Sequence, residues 1–380
     1  MKRTLLVIIS LFLTVSSWSQ NLENGYYRVS NLTTERYAYV TDNTGSIQVQ
    51  AVTADMGAIR LLKDHSKTLS DPASVIYIKN IGESTGGKYY DLQAQGTGVY
   101  EMINYYVYAA WVYDSYQVYA EGKYLVDSNT GTGDEGRMDI KSSGDKKGSK
   151  KWKVTKIDSS TDEYFGITPS VSVQNRYFHP FYADFGFSLK GEGMKVWLVK
   201  EVNKNAVVIA PFEGSTVPAQ TPVIIECGSS KVDSNKIELV SDNTPTNQAN
   251  ALSGVFFNNA IRNNRVAFDS SSMRVLGIMS NGKLGYVLSK DTPDSETGLQ
   301  YLGANQSYLP VESGLPDEIP VMTESEYAEW VAASVSTATV AERKKVYSLS
   351  GKNLGTVAES EINSLPAGIY IIGQKKVVVY

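Results

Sequence analysis

The chain has 380 residues, with 36 Lys and Arg against 40 Asp and Glu, for a formal net charge of minus 4 at pH 7. So mild an acidity lacks the basic footprint of a nucleic-acid binder and gives no attraction to an anionic membrane. A single Cys excludes an internal disulfide framework, so stability rests on packed cores, and the length leaves room for two of them.

Residues 1–20 read as a signal peptide. Lys2 and Arg3 make a charged start, Leu5 to Val15 an apolar run, and Ser16, Ser17 and Ser19 a small-residue exit before or after Gln20. The run is too short to span a bilayer, and no Cys stands nearby to carry a lipid anchor. Cleavage takes the formal charge from minus 4 to minus 6. No later stretch reaches the roughly 20 apolar residues of a membrane helix, so no membrane span is expected.

From 21 to 203, short runs of Tyr, Val, Ile and Trp alternate with Gly, Asn, Asp and Ser, the pattern of many short strands joined by turns. Gly25-Tyr26-Tyr27-Arg28 opens one unit and Gly122-Lys123-Tyr124-Leu125 a second, which closes on Lys151-Trp152-Lys153-Val154. A third opens near Glu163-Tyr164-Phe165 and closes on Val196-Trp197-Leu198. A Tyr-rich opening strand and a Trp-bearing closing strand, repeated, suggest quasi-repeats. On these segments the region resembles ricin-type β-trefoil lectin modules, and the resemblance implies a β-trefoil-like domain over 21–203 and sugar binding.

Residues 100–124 are the densest aromatic stretch. Tyr105, Trp111 and Tyr113 fall on one parity, Tyr106, Tyr108 and Tyr116 on the other. Either both faces of a strand are partly apolar or one aromatic row is exposed. Exposed rings with a hydroxyl handle stack on sugar faces and anchor protein partners. Tyr105, Tyr106, Tyr108, Trp111, Tyr113 and Tyr116 are therefore the candidate binding residues, against the alternative that these rings fill a core.

A second domain, 204–335, is expected to be β-sandwich-like. Strands are predicted at 207–210, 222–227, 236–240, 265–268, 273–278, 283–288 and 307–311. Cys227, in Val223-Ile224-Ile225-Glu226-Cys227, reads as a small core hydrophobe. Val217-Pro218-Ala219-Gln220-Thr221-Pro222, Asn281-Gly282-Lys283-Leu284-Gly285-Tyr286 and Gly303-Ala304-Asn305-Gln306-Ser307-Tyr308 are similar to a module of secreted and surface proteins of Bacteroidetes, which implies a location and no chemistry. Thr323 and Glu326 form a capping box for a short helix, whose Tyr327, Trp330 and Val331 are expected to pack on the sandwich.

In the tail, 340–380, Val346-Tyr347-Ser348-Leu349-Ser350-Gly351, Leu365-Pro366-Ala367-Gly368-Ile369-Tyr370 and Lys375-Lys376-Val377-Val378-Val379 resemble the C-terminal sorting domain of type IX secretion substrates. A short β-hairpin tail follows from the paired alternating runs.

The chemical motifs fail on spacing or context. The only two His, His65 and His179, lack the partners of a triad or a zinc site. Asp127, Asn129, Gly131, Asp134, Glu135 and Asp139 would need Gly at Thr132 and Glu at Met138 to make an EF-type calcium loop. The glycines of Gly144-Asp145-Lys146-Lys147-Gly148 are too close for a phosphate loop. Paired carboxylates for glycoside hydrolysis cannot be read from spacing. The sequence thus predicts a mainly β protein with no catalytic residue, metal or cofactor, acting as a secreted or outer-membrane surface binding protein, glycan-binding or adhesive, with a glycan or surface protein as partner. The first alternative is a structural or accessory protein of an envelope complex, and a glycoside hydrolase ranks below it.

Overall fold

The computed structural model describes residues 22–40, 59–84, 87–96, 107–112, 115–120, 123–128, 133–142, 149–241, 244–256, 265–341 and 344–380. The segment expected to be a signal peptide lies outside them. The protein is mainly β.

Ten strands build the first body: β1 (Gly25–Asn31), β2 (Tyr37–Val40), β3 (Ile59–Leu62), β4 (Ile76–Ser84), β5 (Gly87–Ala94), β6 (Val107–Val112), β7 (Ser115–Ala120), β8 (Lys123–Asp127), β9 (Glu135–Ser142) and β10 (Trp152–Lys156). β1 pairs with β4, β4 with β5, β5 with β6, β6 with β7, β7 with β10 and β10 with β1, which closes a ring of six antiparallel strands. The hairpin-like pairs β2/β3 and β8/β9 meet through β3 and β9 and cap the ring, a trefoil-like arrangement. Closure removes the exposed sheet edges that invite aggregation.

Tyr27, Val29, Ile76, Ile78, Tyr90, Leu92, Tyr116, Leu125 and Trp152 fill the ring. Trp152 is 0 % exposed, and its Nε1 donates to the Leu125 carbonyl at 2.9 Å, so the one polar atom of the ring is satisfied inside the core. β1 is buried along almost its whole length because both its faces are covered. Tyr27 and Val29 point into the barrel, while Tyr26 joins the core of the next body.

That second body uses β11 (Phe165–Gly166), β12 (Val171–Val173), β13 (Arg176–Phe181), β14 (Gly186–Leu189), β15 (Lys195–Val202), β16 (Val207–Pro211), β17 (Val223–Cys227), β18 (Lys236–Val240), β19 (Ser253–Val255), β20 (Met273–Ile278), β21 (Leu284–Val287), β22 (Gln306–Pro310) and β23 (Glu318–Thr323). A sheet ordered β11-β18-β14 covers one side of a ten-stranded sheet ordered β12-β13-β17-β15-β16-β23-β21-β20-β22-β19. The ten-stranded sheet curls so that β20 to β23 close over its other side. β17 shows why its sequence lacks alternation: Val223, Ile225 and Cys227 enter one core and Ile224 the other. Burial of each such side chain stabilises the fold by about 1.5–3 kcal/mol.

Three expectations are corrected. Position 203 falls in the turn of the β15/β16 hairpin, so the barrel's strands end at Lys156 and the strands of 165–202 belong to the sandwich. Trp197, read as the closing strand of a third repeat, packs in the sandwich core instead. Residues 265–268 contribute a single bridge, Ala267 to Tyr301, and no strand.

Helix α1 runs from Glu324 to Ala341, longer than expected, and the Thr323 backbone N–H donates to Glu326 Oε2 at 2.7 Å, which completes the cap. Its apolar face is not packed on the sandwich as the pattern suggests. Tyr327 takes a hydrogen bond from Asn203, but Trp330 and Val331 remain 38 % exposed. The tail is a four-stranded sheet rather than a hairpin, with β24 (Lys344–Ser348), β25 (Asn353–Val357), β26 (Gly368–Ile372) and β27 (Lys375–Val379) in the order β25-β24-β26-β27. Its buried core is Val346, Val357 and Ile372 with a few half-buried neighbours. Gly373 and Gln374, both at positive φ, make the two-residue turn whose twist matches the β26/β27 hairpin.

Replacing Trp152 with Ala removes the ring that the barrel closes on and orphans the Leu125 carbonyl. A loss of about 3–5 kcal/mol is expected in urea unfolding, and a midpoint unchanged from wild type would contradict this packing.

Candidate functional site on the barrel

The register of the barrel strands generates a feature that no linear pattern displays. Tyr89 on β5 lies opposite Tyr108 on β6, Tyr108 opposite Tyr119 on β7, and Tyr119 opposite Tyr124 on β8. Directly opposed residues share a face of the sheet. Tyr90, the neighbour of Tyr89, is in the barrel core, so Tyr89 stands on the outer side, where it is 36 % exposed. Leu125 is likewise in the core, and its neighbour Tyr124 is half-buried under the Lys150 ammonium, 4.3 Å from the ring centroid. Such a contact over a tyrosine face contributes about 0.5–1 kcal/mol at an exposed site.

Of the six residues singled out in the sequence, Tyr105, Tyr106 and Tyr113 lie outside the described residues. Tyr108 and Trp111 are on β6, three positions apart and so on opposite faces of the strand. Tyr116 is corrected to a core residue: it is 3 % exposed, sits between Trp111 and Trp152 in the register, and its hydroxyl is pushed up to about 12 by desolvation. A ring enclosed there is not available to a ligand. Tyr89, Tyr119 and Tyr124 are not among those six, although Tyr119 and Tyr124 belong to the same aromatic stretch. Lys88-Tyr89-Tyr90 carried a signal, but which tyrosine of the pair faces out depends on a register that sequence does not fix.

The ionisable residues raised by the sequence are absorbed into structure. Arg36 donates to Asp127 Oδ2 at 2.7 Å, both side chains buried, and Thr34 donates to the same oxygen at 2.7 Å. Arg36 also donates to the Gly133 carbonyl. Asp127 is therefore the anchor of the barrel cap rather than a calcium ligand. Gly136 is required beside it, because a Cβ there would lie 2.8 Å from Arg36 Cδ and Asp127 Oδ1.

Arg28, from the opening motif, spends its donors on the carbonyls of Thr68, Glu163 and Tyr164 and on the Glu163 carboxylate at 3.2 Å. Glu163 also meets His65 Nε2 at 3.3 Å, and the His65 ring stacks on Tyr37. In the sandwich, Glu226 accepts from Trp197 Nε1 at 2.9 Å and Arg176 Nε at 3.0 Å. Burial alone would raise its carboxyl, and these hydrogen bonds outweigh it, holding the group below the usual carboxylate range. Burial pushes the Cys227 thiol up to about 12, so it is a protonated packing group at neutral pH. His179 is pushed down to about 4 by desolvation, and its Nδ1 is buried without a hydrogen-bond partner among the described residues. Among the described residues, no group of three or more His, Cys, Asp or Glu is placed to hold a metal ion. No helix among them is long and apolar enough to cross a membrane.

No family model and no curated protein matches the chain. Among solved structures, similarity is found to one described as "Structure and mode of action of a mosquitocidal holotoxin", at 10 % identity and a TM-score of 0.27. The match covers 78 % of this chain and 34 % of that one. A likeness at that score carries no argument about either fold or activity.

Two outcomes follow. Asp127→Ala leaves the Arg36 guanidinium buried without its counter-charge and should cost about 3–5 kcal/mol in urea unfolding, an effect that a solvent-exposed pair would not produce. His179 is neutral when folded but protonates below its ordinary value of 6.5 when unfolded, so its contribution is complete above pH 6.5 and is lost as pH falls toward 4. The stability of His179→Gln should therefore fall less steeply over this window, and parallel pH curves for mutant and wild type would refute the assignment.

Proposed function

We propose that the chain is a non-catalytic secreted or cell-surface binding protein, glycan-binding or adhesive, that works through the outer side of its trefoil-like barrel. The observation that carries this reading is the register of Tyr89, Tyr108, Tyr119 and Tyr124 on four adjacent strands. A tyrosine combines an apolar face, suited to the C–H-rich face of a pyranose, with a hydroxyl that exchanges hydrogen bonds with sugar hydroxyls. Few rotamers are lost on binding, because the strand already fixes the ring's base. The charged start and apolar run of residues 1–20 support export, and the sorting-domain-like tail supports display at the outer surface.

A second reading, a structural or accessory protein of an envelope complex, is favoured by the tail sheet. Ile369 and Val378 lie directly opposite each other on β26 and β27 and are both exposed, with Leu354 exposed on β25. Envelope pull-down separates the two, since a stable stoichiometric partner retained on deletion of the barrel favours the accessory role.

Screening the purified mature chain on a glycan array tests the first reading. Binding is expected, and Tyr89→Ala should weaken it by roughly three- to tenfold while Tyr116→Phe leaves it unchanged. Silence on the array with retained binding to a surface protein would remove the glycan version.

A further inference from the structure

The tail sheet has two apolar faces, and only one is closed. Val346, Ile372, Tyr370 and Val377 pack in the small core that Val357 completes. On the other face, Tyr347 of β24 lies opposite Ile371 of β26, and Ile369 of β26 opposite Val378 of β27. Directly opposed residues share a face of the sheet, so these four make one continuous surface. Ile369 and Val378 are 39 % and 46 % exposed, and Tyr347 and Ile371 are half-buried. Lys376, opposite Ile371, and Lys345, two positions before Tyr347, put exposed lysines at its border.

Helix α1 carries the complementary surface. Tyr327, Trp330 and Val331 share one side of it by their spacing, and the Trp330 ring stacks on Tyr327 with 5.9 Å between centroids and 13° between planes. Tyr327 is itself held by Asn203, so the indole is a positioned anchor although it is 38 % exposed. From Glu324 to Ala341 the helix has three Glu and no Lys, Arg or His, whereas residues 344–380 have five Lys against two Glu. Both surfaces stay exposed in one chain, so they do not cover each other there.

We infer that the occupant of each is a second copy of this chain: α1 of either copy lays Trp330 and Val331 on the Tyr347, Ile369, Ile371 and Val378 face of the other, with Glu326, one turn before Trp330, toward the lysine border. Ala341 and Lys344 are three Cα steps apart, at most about 11 Å, so in a pair related by a twofold axis the two helix-on-sheet contacts lie side by side and form together. Reciprocal exchange of this kind closes the assembly at two copies. Doubling the contact also brings its area toward the about 800 Å² per partner of a stable interface, and a large indole at the centre carries much of the affinity. Two tail faces set against each other would oppose lysine to lysine, which disfavours that pairing.

Sedimentation velocity of the full mature chain, from micromolar to millimolar concentration, should show a reversible monomer–dimer equilibrium that weakens with added salt. Trp330→Ala and Val378→Ala should each weaken dimerisation roughly tenfold or more, since each acts at both contacts. The Lys345→Glu, Lys376→Glu double variant should weaken it as well, with far-UV circular dichroism and melting unchanged in all three. Oxidising a mixture of Val331→Cys and Val378→Cys chains should join one to the other, and the joining should fail when the first also carries Trp330→Ala. Bond formation inside a single chain carrying both substitutions, at a rate independent of protein concentration, would place the helix on its own tail and overturn the second copy as occupant. A monomer at every concentration, or a dimer insensitive to Trp330→Ala and Val378→Ala alike, overturns the inference outright.

Discussion

A guanidinium that is 1 % exposed and bonded to three carbonyls and a carboxylate joins the two main bodies of this protein. Arg28 stands on β1, the strand through which the barrel closes, since β1 pairs with β2, β4 and β10. Burying a charge is costly unless it is paired and its donors are used, and burial does draw the Arg28 pKa down against the opposing pull of Glu163. Arg28 makes the arrangement tolerable only because residues 68 and 163–164 hold their oxygens around it. The position of the strand that closes the barrel and the path of the chain leaving it are thus one constraint.

A second junction reinforces the first. Gln95 at the end of β5 exchanges amide hydrogen bonds with Asn305 before β22, and its Oε1 also accepts the Asp184 backbone N–H. Gln220 donates to the Asp184 carboxylate at 2.7 Å. Gln95, Gln220 and Asn305 all adopt positive φ, which costs a non-glycine residue about 1 kcal/mol or more. Strain of that kind persists where surrounding bonds over-determine the backbone, and here those bonds tie the barrel to three separate segments of the sandwich. Tyr26, whose hydroxyl donates to the Val240 carbonyl, and Phe256, which packs on the barrel core, add apolar contact across the same boundary.

Much of the fold was legible. Turn residues punctuating aromatic and β-branched runs marked the strands, and Cys227 and the Thr323 cap read as they fold. What failed was pairing. Trp152 and Trp197 carry similar flanking residues, yet only the first is placed inside the ring, and nothing local distinguishes them. Tyr327, Trp330 and Val331 form an apolar stripe by spacing, but whether a surface meets that stripe depends on where the helix leaves β23. The facing of the barrel tyrosines was hardest to read. Tyr116 and Tyr119 are three apart on one strand and so of opposite parity, Tyr116 in the core and Tyr119 in register with Tyr108 and Tyr124, and only the strands on either side decide which parity faces inward.

The tail sheet has a further consequence. Thirty-odd residues held by Val346, Val357 and Ile372 bury little apolar surface, and units below about 40 residues seldom hold together unaided. Such a sheet opens and recloses independently of the barrel and sandwich, at a small fraction of the free energy needed to unfold either. Its amide hydrogens are therefore expected to exchange before those of the barrel and sandwich. The molecule thus joins two large cores to a C-terminal sheet held by a far smaller one, the part whose local opening costs least.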